Sequence, residues 1–371
     1  MKILIFTAST GGGHKVAAAA LENAFHRISP EDQVMLRDGL ALTGKLYNHL
    51  ICDGYTFLAK NAPDFYGTIY KISDKESPLN KFCNIQNKAK GNKLLPVIHE
   101  FNPDVIISCH AFVTIMLDKL KEDGEITTPV ISQITDFSPH YTYVVNNIDH
   151  FIVSSDEMVD MMTNKYKLPA KKVHPFGIPV AEKFLEPCDR NAVARDLGLK
   201  ENTPTILFMA GSFGVSKILK LYEEISQMEP EAQYIVITGN NKKLYHKFEG
   251  IVGDNTKLLM YVDNVNDYMH CADLIITKPG GLTVSESIHC ALPMAIYNAF
   301  PGQEEENAKF LLKSGVAVIL QENPAKTISA LLSKPEILQE MSNNCKGLCQ
   351  GNSCEQIINL AHSIGKKESE K

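Results

Sequence analysis

Short, continuous apolar runs recur along the chain and alternate with segments of helical periodicity. One such run opens the sequence at residues 2–6 and another lies at residues 204–210. Apolar runs without alternating polar positions are typical of strands buried on both faces of a parallel sheet. The same pattern predicts further strands at residues 104–108, 129–134, 150–154, 234–237, 258–262, 274–276, 293–297 and 316–320. Helices are predicted between them, among others at residues 111–122, 156–166 and 304–313. The chain is therefore predicted to be an α/β protein.

Two strands are followed by the same kind of segment. The first runs into the glycine turn 11–14 (GGGH) and an alanine-rich helix through Arg27; the strand 204–210 runs into the turn 211–214 (GSFG) and a helix to about residue 227. Strand, glycine turn and helix form the first unit of a nucleotide-binding α/β sheet. Two such units predict two doubly wound, Rossmann-like domains. Glycine and proline at residues 177–179 place the boundary there, which gives domains 1–178 and 179–350.

Composition is compatible with this arrangement and excludes several classes of protein. The 371 residues are enough for two domains of roughly 150–200 residues each. A net charge of −6 gives no indication of nucleic-acid binding. No apolar run approaches the ~18 residues needed to span a bilayer, so contact with a membrane would be made from its surface. Nine irregularly spaced cysteines, with no signal peptide ahead of the first strand, indicate reduced thiols in the cytoplasm.

Three of these cysteines, Cys345, Cys349 and Cys354, lie close together near the C-terminus. With His362 as a fourth ligand they could form a zinc site, but the spacing is not that of a common zinc motif. We therefore favour ordinary thiols on helices and loops, and expect no metal.

Residues 40–95 interrupt the alternation of strands and helices. Eight aromatic and apolar residues are interleaved with lysines, and between Lys60 and Lys93 seven lysines stand against three acidic residues, a balance of 7 − 3 = +4. Aromatic side chains together with lysines suit the surface of an anionic bilayer. The alternative is an insertion with a small core of its own.

Residues 273–286 carry the clearest sign of a ligand. The apolar strand 274–276 runs into Lys278, Pro279, Gly280 and Gly281, and a helix is predicted from Thr283. The free N–H groups at a helix N-terminus attract anions, and glycines let a phosphate approach the backbone. Glu286 then falls in the first turn, where its carboxylate could cap the helix or accept ribose hydroxyls. A phosphate site beside a diol acceptor indicates a nucleotide.

Taken in order, six motifs resemble those of a known family. They are residues 11–14 (GGGH), 135–137 (TDF), 177–179 (GIP), 211–214 (GSFG), 278–283 (KPGGLT) with Glu286, and 301–304 (PGQE) with Asn307. The sequence resembles the monogalactosyldiacylglycerol synthase and processive diacylglycerol glucosyltransferase family, which belongs to glycosyltransferase family 28 and has the GT-B fold. The sequence departs from relatives at two places. Ala210 stands where relatives often have glycine, and residues 138–140 (SPH) follow the TDF motif. The second departure leaves the geometry of the acceptor site, and so the identity of the acceptor, undetermined.

The resemblance implies two Rossmann-like domains facing a central cleft, with the lipid acceptor on the first and the UDP-sugar on the second. It also implies that residues 351–371 form a C-terminal helix, about 352–364, against the first domain, followed by a tail. The implied reaction is inverting transfer of glucose or galactose from a UDP-sugar to diacylglycerol, without a metal ion or other cofactor. The aromatic, lysine-rich segment would contact the anionic inner face of the cell membrane, making the enzyme cytoplasmic and peripheral.

Two residues are candidates for the proton transfer that this reaction needs. His14 ends a glycine turn at the mouth of the first sheet and can act as a base near neutral pH; otherwise it opens the following helix as a cap. Asp136 is a partner that orients an acceptor or the histidine, a rival base, or a helix cap.

The donor residues follow from the remaining motifs. The turn of Gly211, Ser212 and Gly214 would hold the diphosphate together with the second helix start at Gly280, Gly281, Leu282 and Thr283. Glu286 would bind the ribose, and Gln303 and Glu304 the hexose, although acidic residues also suit an ordinary N-terminal turn. Val262, at the end of a predicted strand, would hold the uracil through its backbone, and Lys278 is a lesser candidate.

Three other functions remain open at this stage. One is transfer from UDP-N-acetylglucosamine to a polyprenyl-diphosphate-linked acceptor. Residues 303–304 (QE) argue against it, because the enzyme that makes lipid II by this reaction tends to have two glutamines at the hexose site. UDP-sugar epimerisation on the same fold would need neither an acceptor nor a membrane. A UDP-sugar sensor would keep the donor site without needing His14.

Overall fold

The structure is a computed structural model that describes residues 1–9, 12–44, 63–74, 90–209 and 215–369. Within these residues the chain forms two six-stranded sheets, and every strand pair in them is parallel. Helices connect successive strands and cover the sheets. The predicted α/β class with two doubly wound domains is confirmed.

The first half is built on residues 2–174. Its strands are β1 Lys2–Thr7, β2 Gln33–Asp38, β3 Val105–Ser108, β4 Val130–Gln133, β5 His150–Ile152 and β6 Val173–His174. Its helices are α1 Gly13–Ile28, α2 Gly39–Leu42, α3 Pro63–Ser73, α4 Leu95–Phe101, α5 Ala111–Glu122 and α6 Asp156–Asp160, which continues as a π-helical turn, Met161–Lys165.

The second half begins its sheet at Thr205. Its strands are β7 Thr205–Met209, β8 Gln233–Ile237, β9 Thr256–Leu259, β10 Leu274–Thr277, β11 Met294–Ile296 and β12 Ala317–Ile319. Its helices are α7 Arg190–Asp196, α8 Val215–Met228, α9 Lys242–Glu249, α10 Val265–Cys271, α11 Gly281–His289, α12 Gln303–Lys313, α13 Pro324–Leu332, α14 Pro335–Leu348 and α15 Ser353–Ser369.

Strand order creates one switch point in each sheet. The first sheet runs β2-β1-β3-β4-β5-β6 and the second β12-β11-β10-β7-β8-β9. The chain therefore reverses its direction of winding between β1 and β3, and again between β7 and β10. Ligands of such sheets bind outside the carboxyl ends of the strands at this point. The segments that follow these four strands carry His14, His110 and Lys278.

Apolar side chains cover both faces of each sheet. On one face of the first sheet, Ile3 and Ile5 pack against Phe25 of α1 and against Ile357 and Ile358 of α15. All five side chains are fully or almost fully buried. The last helix therefore leaves the second half and completes the core of the first.

The structure differs from the sequence prediction at three places. Strand β2 was not predicted, because only three of its six residues are apolar and none is fully buried. The strand predicted at 258–262 ends at Leu259 instead, so Val262 lies in the following turn. Helix α11 begins at Gly281 rather than Thr283, with Gly280 as its N-cap. Glu286 is therefore in the second turn and caps nothing, which makes the prediction of a first-turn position wrong.

Candidate active site between the two sheets

The two halves meet where the segment after β4 contacts two helix N-termini of the second half. A Cβ built on Gly281 would collide with the backbone carbonyl oxygen of Thr135. Only glycine lets the start of α11 approach this segment so closely. The ring of Phe137, two residues further on, stacks on Phe310 of α12 with a centroid distance of 5.2 Å.

Asn307 of α12 joins the two halves by hydrogen bonds. Its Oδ1 accepts from the Phe137 backbone N–H at 2.9 Å, while its Nδ2 donates to the Pro279 carbonyl oxygen at 3.0 Å and to Asp136 Oδ1 at 3.3 Å. The side chain is only 1% exposed. An amide is suited to this position because it supplies both a donor and an acceptor. Asn307 was noticed in the sequence only as part of a motif, and this bridging position was not predicted.

His14 lies in the first turn of α1 and faces the cleft. Its Nδ1 is 2.8 Å from Thr135 Oγ1, and its ring meets His110 edge-on at a centroid distance of 4.7 Å. Burial lowers the pKa of His14, while Asp136 and the Cys109 carbonyl act in the opposite direction. The helix is capped at Gly12, so the alternative of a capping role for His14 is wrong. A neutral imidazole at neutral pH can accept a proton.

His110 was not singled out by the sequence. It caps α5, with Nδ1 accepting from the Phe112 backbone N–H at 3.2 Å. Burial lowers the pKa of His110 well below its usual range, and the neighbouring His14 adds to the effect. Its position could have been found only from the strand order, which brings the end of β3 beside the end of β1.

Asp136 is held by donors from the second half. Its carboxylate receives side-chain hydrogen bonds from Gln303 and Asn307, and His14 lies close enough to interact electrostatically. The side chain is 6% exposed. Burial raises the pKa of Asp136, and the Gln303 hydrogen bond is the largest opposing effect. Thus His14 and Asp136, proposed for proton transfer, lie close to Gln303, proposed to contact the hexose.

Glu286 is a buried carboxyl in the middle of α11, 7% exposed. Burial raises its pKa to about 8, while Lys183 and His289 act to lower it. Burial makes ionisation of this carboxyl group unfavourable. Carboxyl groups whose pKa is raised in this way are typical of functional sites.

Lys278 and Glu304 line the donor side at the switch point. Lys278 is 8% exposed, its Nζ lies 3.9 Å above the Phe300 ring, and burial lowers its pKa to about 8. Glu304 Oε2 accepts from the Phe300 backbone N–H at 2.8 Å. Burial raises the pKa of Glu304. Lys278 and Glu304 are therefore partly enclosed. The alternative of an ordinary solvated first turn for residues 303–306 fits Glu305 and Glu306, which are 36% and 35% exposed, better than it fits Glu304.

The remaining donor candidates are divided between described and undescribed residues. Gly280, Gly281, Leu282 and Thr283 form the N-terminus of α11, which points into the cleft, and Leu282 packs 3.7 Å from the Cβ position of Gly13. Val262 is partly buried against the core of the second half, and its neighbour Tyr261 is 64% exposed. Gly211, Ser212 and Gly214 lie outside the described residues, as does Ala210.

Metal sites and membrane spans were sought in the described part of the chain. It contains no group of three or more His, Cys, Asp or Glu side chains placed to hold a metal ion. His362, considered above as a zinc ligand, instead bonds Asp32 at 2.6 Å. Among the same residues, no helix is long and apolar enough to cross a membrane.

Comparison with known proteins accounts for both halves. Residues 14–180 match the monogalactosyldiacylglycerol (MGDG) synthase family, and residues 205–367 match the glycosyltransferase family 28 C-terminal domain. The processive diacylglycerol beta-glucosyltransferase of Bacillus pumilus is 30% identical over 370 residues, covering 96% of this chain and 93% of that protein. The chain belongs to this glycosyltransferase family. The enzyme of the same name from Bacillus subtilis is 28% identical and covers 96% of this chain and 94% of its own length.

Solved structures show that this member of family 28 has the GT-B-like two-domain fold. MurG from Acinetobacter baumannii superposes with a TM-score of 0.63 at 16% identity, covering 98% of this chain and 99% of MurG. The spinosyn rhamnosyltransferase SpnG gives a TM-score of 0.66 at 10% identity over 98% of this chain and all of SpnG. A UDP-GlcNAc 2-epimerase from Neisseria meningitidis has the same fold, with a TM-score of 0.60 at 14% identity, 97% of this chain and 99% of that one. The fold alone therefore does not separate transferases from epimerases.

Proposed function

We propose that this protein transfers glucose or galactose from a UDP-sugar to diacylglycerol, producing a glycolipid with inversion at the anomeric carbon. Membership of the family supports the reaction class, and the two Bacillus relatives described above are processive diacylglycerol beta-glucosyltransferases. One observation supports the mechanism most strongly: Asp136 of the first half, beside His14, accepts hydrogen bonds from Gln303 and Asn307 of the second half, and Asp136 and Asn307 are buried.

In this mechanism the first half activates the acceptor. Neutral His14 takes the proton of the diacylglycerol hydroxyl as its oxygen attacks the anomeric carbon from the face opposite UDP. The bond between that carbon and the diphosphate oxygen breaks, and UDP leaves with the electron pair. Thr135 orients the imidazole through its 2.8 Å contact with Nδ1, and Asp136 stabilises the positive charge that develops on the ring.

The second half holds the donor. The N-terminus of α11, from Gly280 to Thr283, supplies backbone N–H groups and a helix dipole where negative charge develops on the leaving diphosphate. The turn with Gly211, Ser212 and Gly214 would add to this from the other side of the switch point. Glu286 accepts the ribose hydroxyls, Gln303 and Glu304 contact the hexose, Val262 holds the base and Lys278 stands beside the donor. No metal is required in this scheme, so activity should survive a chelator.

The reaction is tested with vesicles of anionic phospholipid containing diacylglycerol. The protein is supplied in turn with UDP-glucose, UDP-galactose and UDP-N-acetylglucosamine, with and without EDTA. The lipid products are separated and identified by mass spectrometry. We expect a hexosyl-diacylglycerol from at least one of the first two donors. Binding of UDP-sugars without any glycolipid would contradict the proposal, and a product only from UDP-N-acetylglucosamine with a polyprenyl-diphosphate acceptor would establish the alternative.

We also propose that the protein acts at the anionic inner surface of the cell membrane from the cytoplasm. Seven lysines against three acidic residues between Lys60 and Lys93 support this, within a protein of net charge −6. Attraction of this kind is screened by salt, with a Debye length of about 10 Å at 0.1 M and about 3 Å at 1 M. Sedimentation with anionic vesicles should therefore decrease strongly between these salt concentrations. If the protein binds neutral vesicles as well as anionic ones, at both salt concentrations, an electrostatic attachment is excluded.

A further inference from the structure

Helix α3 of the first half lies directly on the turn that precedes α12 in the second half. A Cβ built on Gly67 would collide with Pro301 Cβ and stand 3.4 Å from Pro301 Cα. A Cβ on Gly302 would lie 2.8 Å from Cγ of Tyr70. Gly302 also has φ +98, a conformation that favours glycine. One glycine in each half therefore makes this close approach possible.

The C-terminal end of α3 is fixed to the first half. Nε2 of His140 lies 3.1 Å from the Tyr70 carbonyl oxygen, and the two rings are 4.3 Å apart. Asp74, just beyond the helix, accepts from the Tyr141 backbone N–H at 3.0 Å and from Tyr166 Oη at 2.6 Å. Helix α3 is thus held on one side by the segment that follows Asp136. Its other side packs against the turn at residues 300–302.

The turn itself carries the residues assigned to the hexose. Gln303 directly follows Gly302, and Glu304 is bonded back to the Phe300 N–H. A displacement of residues 300–302 would therefore move both side chains. The neighbouring ion pair between Lys71 and Glu305, 3.5 Å long and 64% and 36% exposed, contributes little at such exposure. Packing of Gly67 and Tyr70 is what joins helix and turn.

We propose that α3 sets the position of the hexose-contacting turn, with Tyr70 as its positioning residue. The acceptor half then contributes to the affinity for the donor sugar without touching it. This inference rests on the proposed function, in which Gln303 and Glu304 contact the hexose. Because coupling between two binding sites is reciprocal, a lipid that shifts α3 would alter sugar affinity by the same factor as the sugar alters lipid affinity.

The test compares the dissociation constants of UDP and of the UDP-hexose that the wild-type protein prefers, measured by calorimetry. Their ratio reports the contribution of the hexose alone. In Gly67→Ala and Tyr70→Ala we expect this ratio to fall by about tenfold, the loss corresponding to 1.4 kcal/mol, while UDP affinity stays unchanged. Alanine is a better helix former than glycine, so loss of α3 itself cannot explain the effect of Gly67→Ala.

Two further variants separate positioning from general damage. Tyr70→Phe keeps the ring that faces Gly302 and should retain the wild-type ratio. Ile72→Ala changes a side chain on the same helix that is 45% exposed, and should also have no effect. An unchanged ratio in Gly67→Ala and Tyr70→Ala overturns the inference, as does an equal loss of UDP and UDP-hexose affinity. A wild-type protein that binds no UDP-hexose more tightly than UDP contradicts the hexose contacts of the proposed function itself.

Discussion

At the scale of single residues, His14 combines a cleft position with a chemically suitable state. Its Nδ1 contact with Thr135 fixes the ring, and burial lowers its pKa. We predict that His14→Ala lowers kcat by about 10²- to 10⁴-fold, the usual contribution of a general base. UDP affinity should remain, because no donor residue is removed. Turnover and UDP binding measured on the same preparation check this, and an active variant would exclude His14 as the base.

The pH dependence of kcat/KM gives a second, independent test of His14. A base must be unprotonated to act, and a lowered pKa keeps the imidazole neutral to more acidic pH than usual. We therefore expect the acid limb of the profile to have its midpoint below pH 6.5. Asp136→Asn should shift that midpoint further down, because it removes the carboxylate that raises the His14 pKa. A limb that disappears in Asp136→Asn would instead identify Asp136 as the titrating base.

Glu286 makes a stability prediction with a definite sign. Its pKa is raised from 4.5 to about 8 in the folded protein, so between these values the folded state binds more protons than the unfolded state. Unfolding free energy is therefore lost as pH rises from about 4.5 to about 8. Glu286→Gln removes this loss and should stabilise the protein by about 3 kcal/mol at pH 7. Denaturant unfolding at pH 5 and pH 7 measures the difference, which should shrink to about 1 kcal/mol at pH 5.

The same substitution should weaken UDP binding if Glu286 accepts the ribose hydroxyls. Gain of stability with loss of affinity is expected where a site keeps an unfavourable group for function. A variant that is stabilised and binds UDP normally would leave Glu286 without the proposed role in the donor site.

At the scale of elements, α12 contributes side-chain hydrogen bonds between the halves through Asn307. Asn307→Ala would leave the buried Phe137 N–H and Pro279 carbonyl without their partner. Each unsatisfied buried group costs about 1–3 kcal/mol, so for two groups we predict a loss of about 2–6 kcal/mol in unfolding free energy. Lys309→Ala on the same helix is the control, since its pair with Glu306 is exposed and contributes under about 1 kcal/mol. Equal effects of the two substitutions would contradict the bridging role of Asn307.

Most elements could be predicted from sequence, and the exceptions have physical reasons. Strands such as β1 and β10 are buried on both faces, so their sequences are continuous apolar runs that are easily recognised. Strand β2 lies at the edge of the first sheet and is only partly buried, so its pattern is mixed. The start of α11 was misplaced because Gly280 caps it through backbone conformation alone, without a capping side chain.

The site was predictable only in part, because several of its contacts join residues far apart in the chain. Turn motifs identified His14, Asp136 and Gln303 individually. That Gln303 and Asn307 bond Asp136 across some 170 positions depends on how the two halves are placed. His110 likewise reaches His14 through the order of β1 and β3, which no local pattern contains. Local sequence thus indicates which groups are available, and the packing of the halves determines which of them meet.

At the scale of the whole molecule, the last helix joins the two halves. Helix α15 begins where Ser353 Oγ donates to the Gly177 carbonyl oxygen at 3.0 Å, at the crossover between the sheets. It then buries Ile357, Ile358 and Ala361 among the side chains of β1, β3 and α1. Although it follows the second half in sequence, this helix belongs energetically to the first.

That placement predicts which half responds to a change in α15. Ile358→Ala deletes a fully packed side chain, 1% exposed, and should cost about 2–5 kcal/mol. Hydrogen exchange should then accelerate in β1 and β3, more than 240 positions away, while β7 and β10 keep their protection. Ser363→Ala, on the exposed side of the same helix, should change neither stability nor exchange. Faster exchange confined to the second half would contradict the assignment, because α15 would then stabilise the sheet that precedes it in sequence.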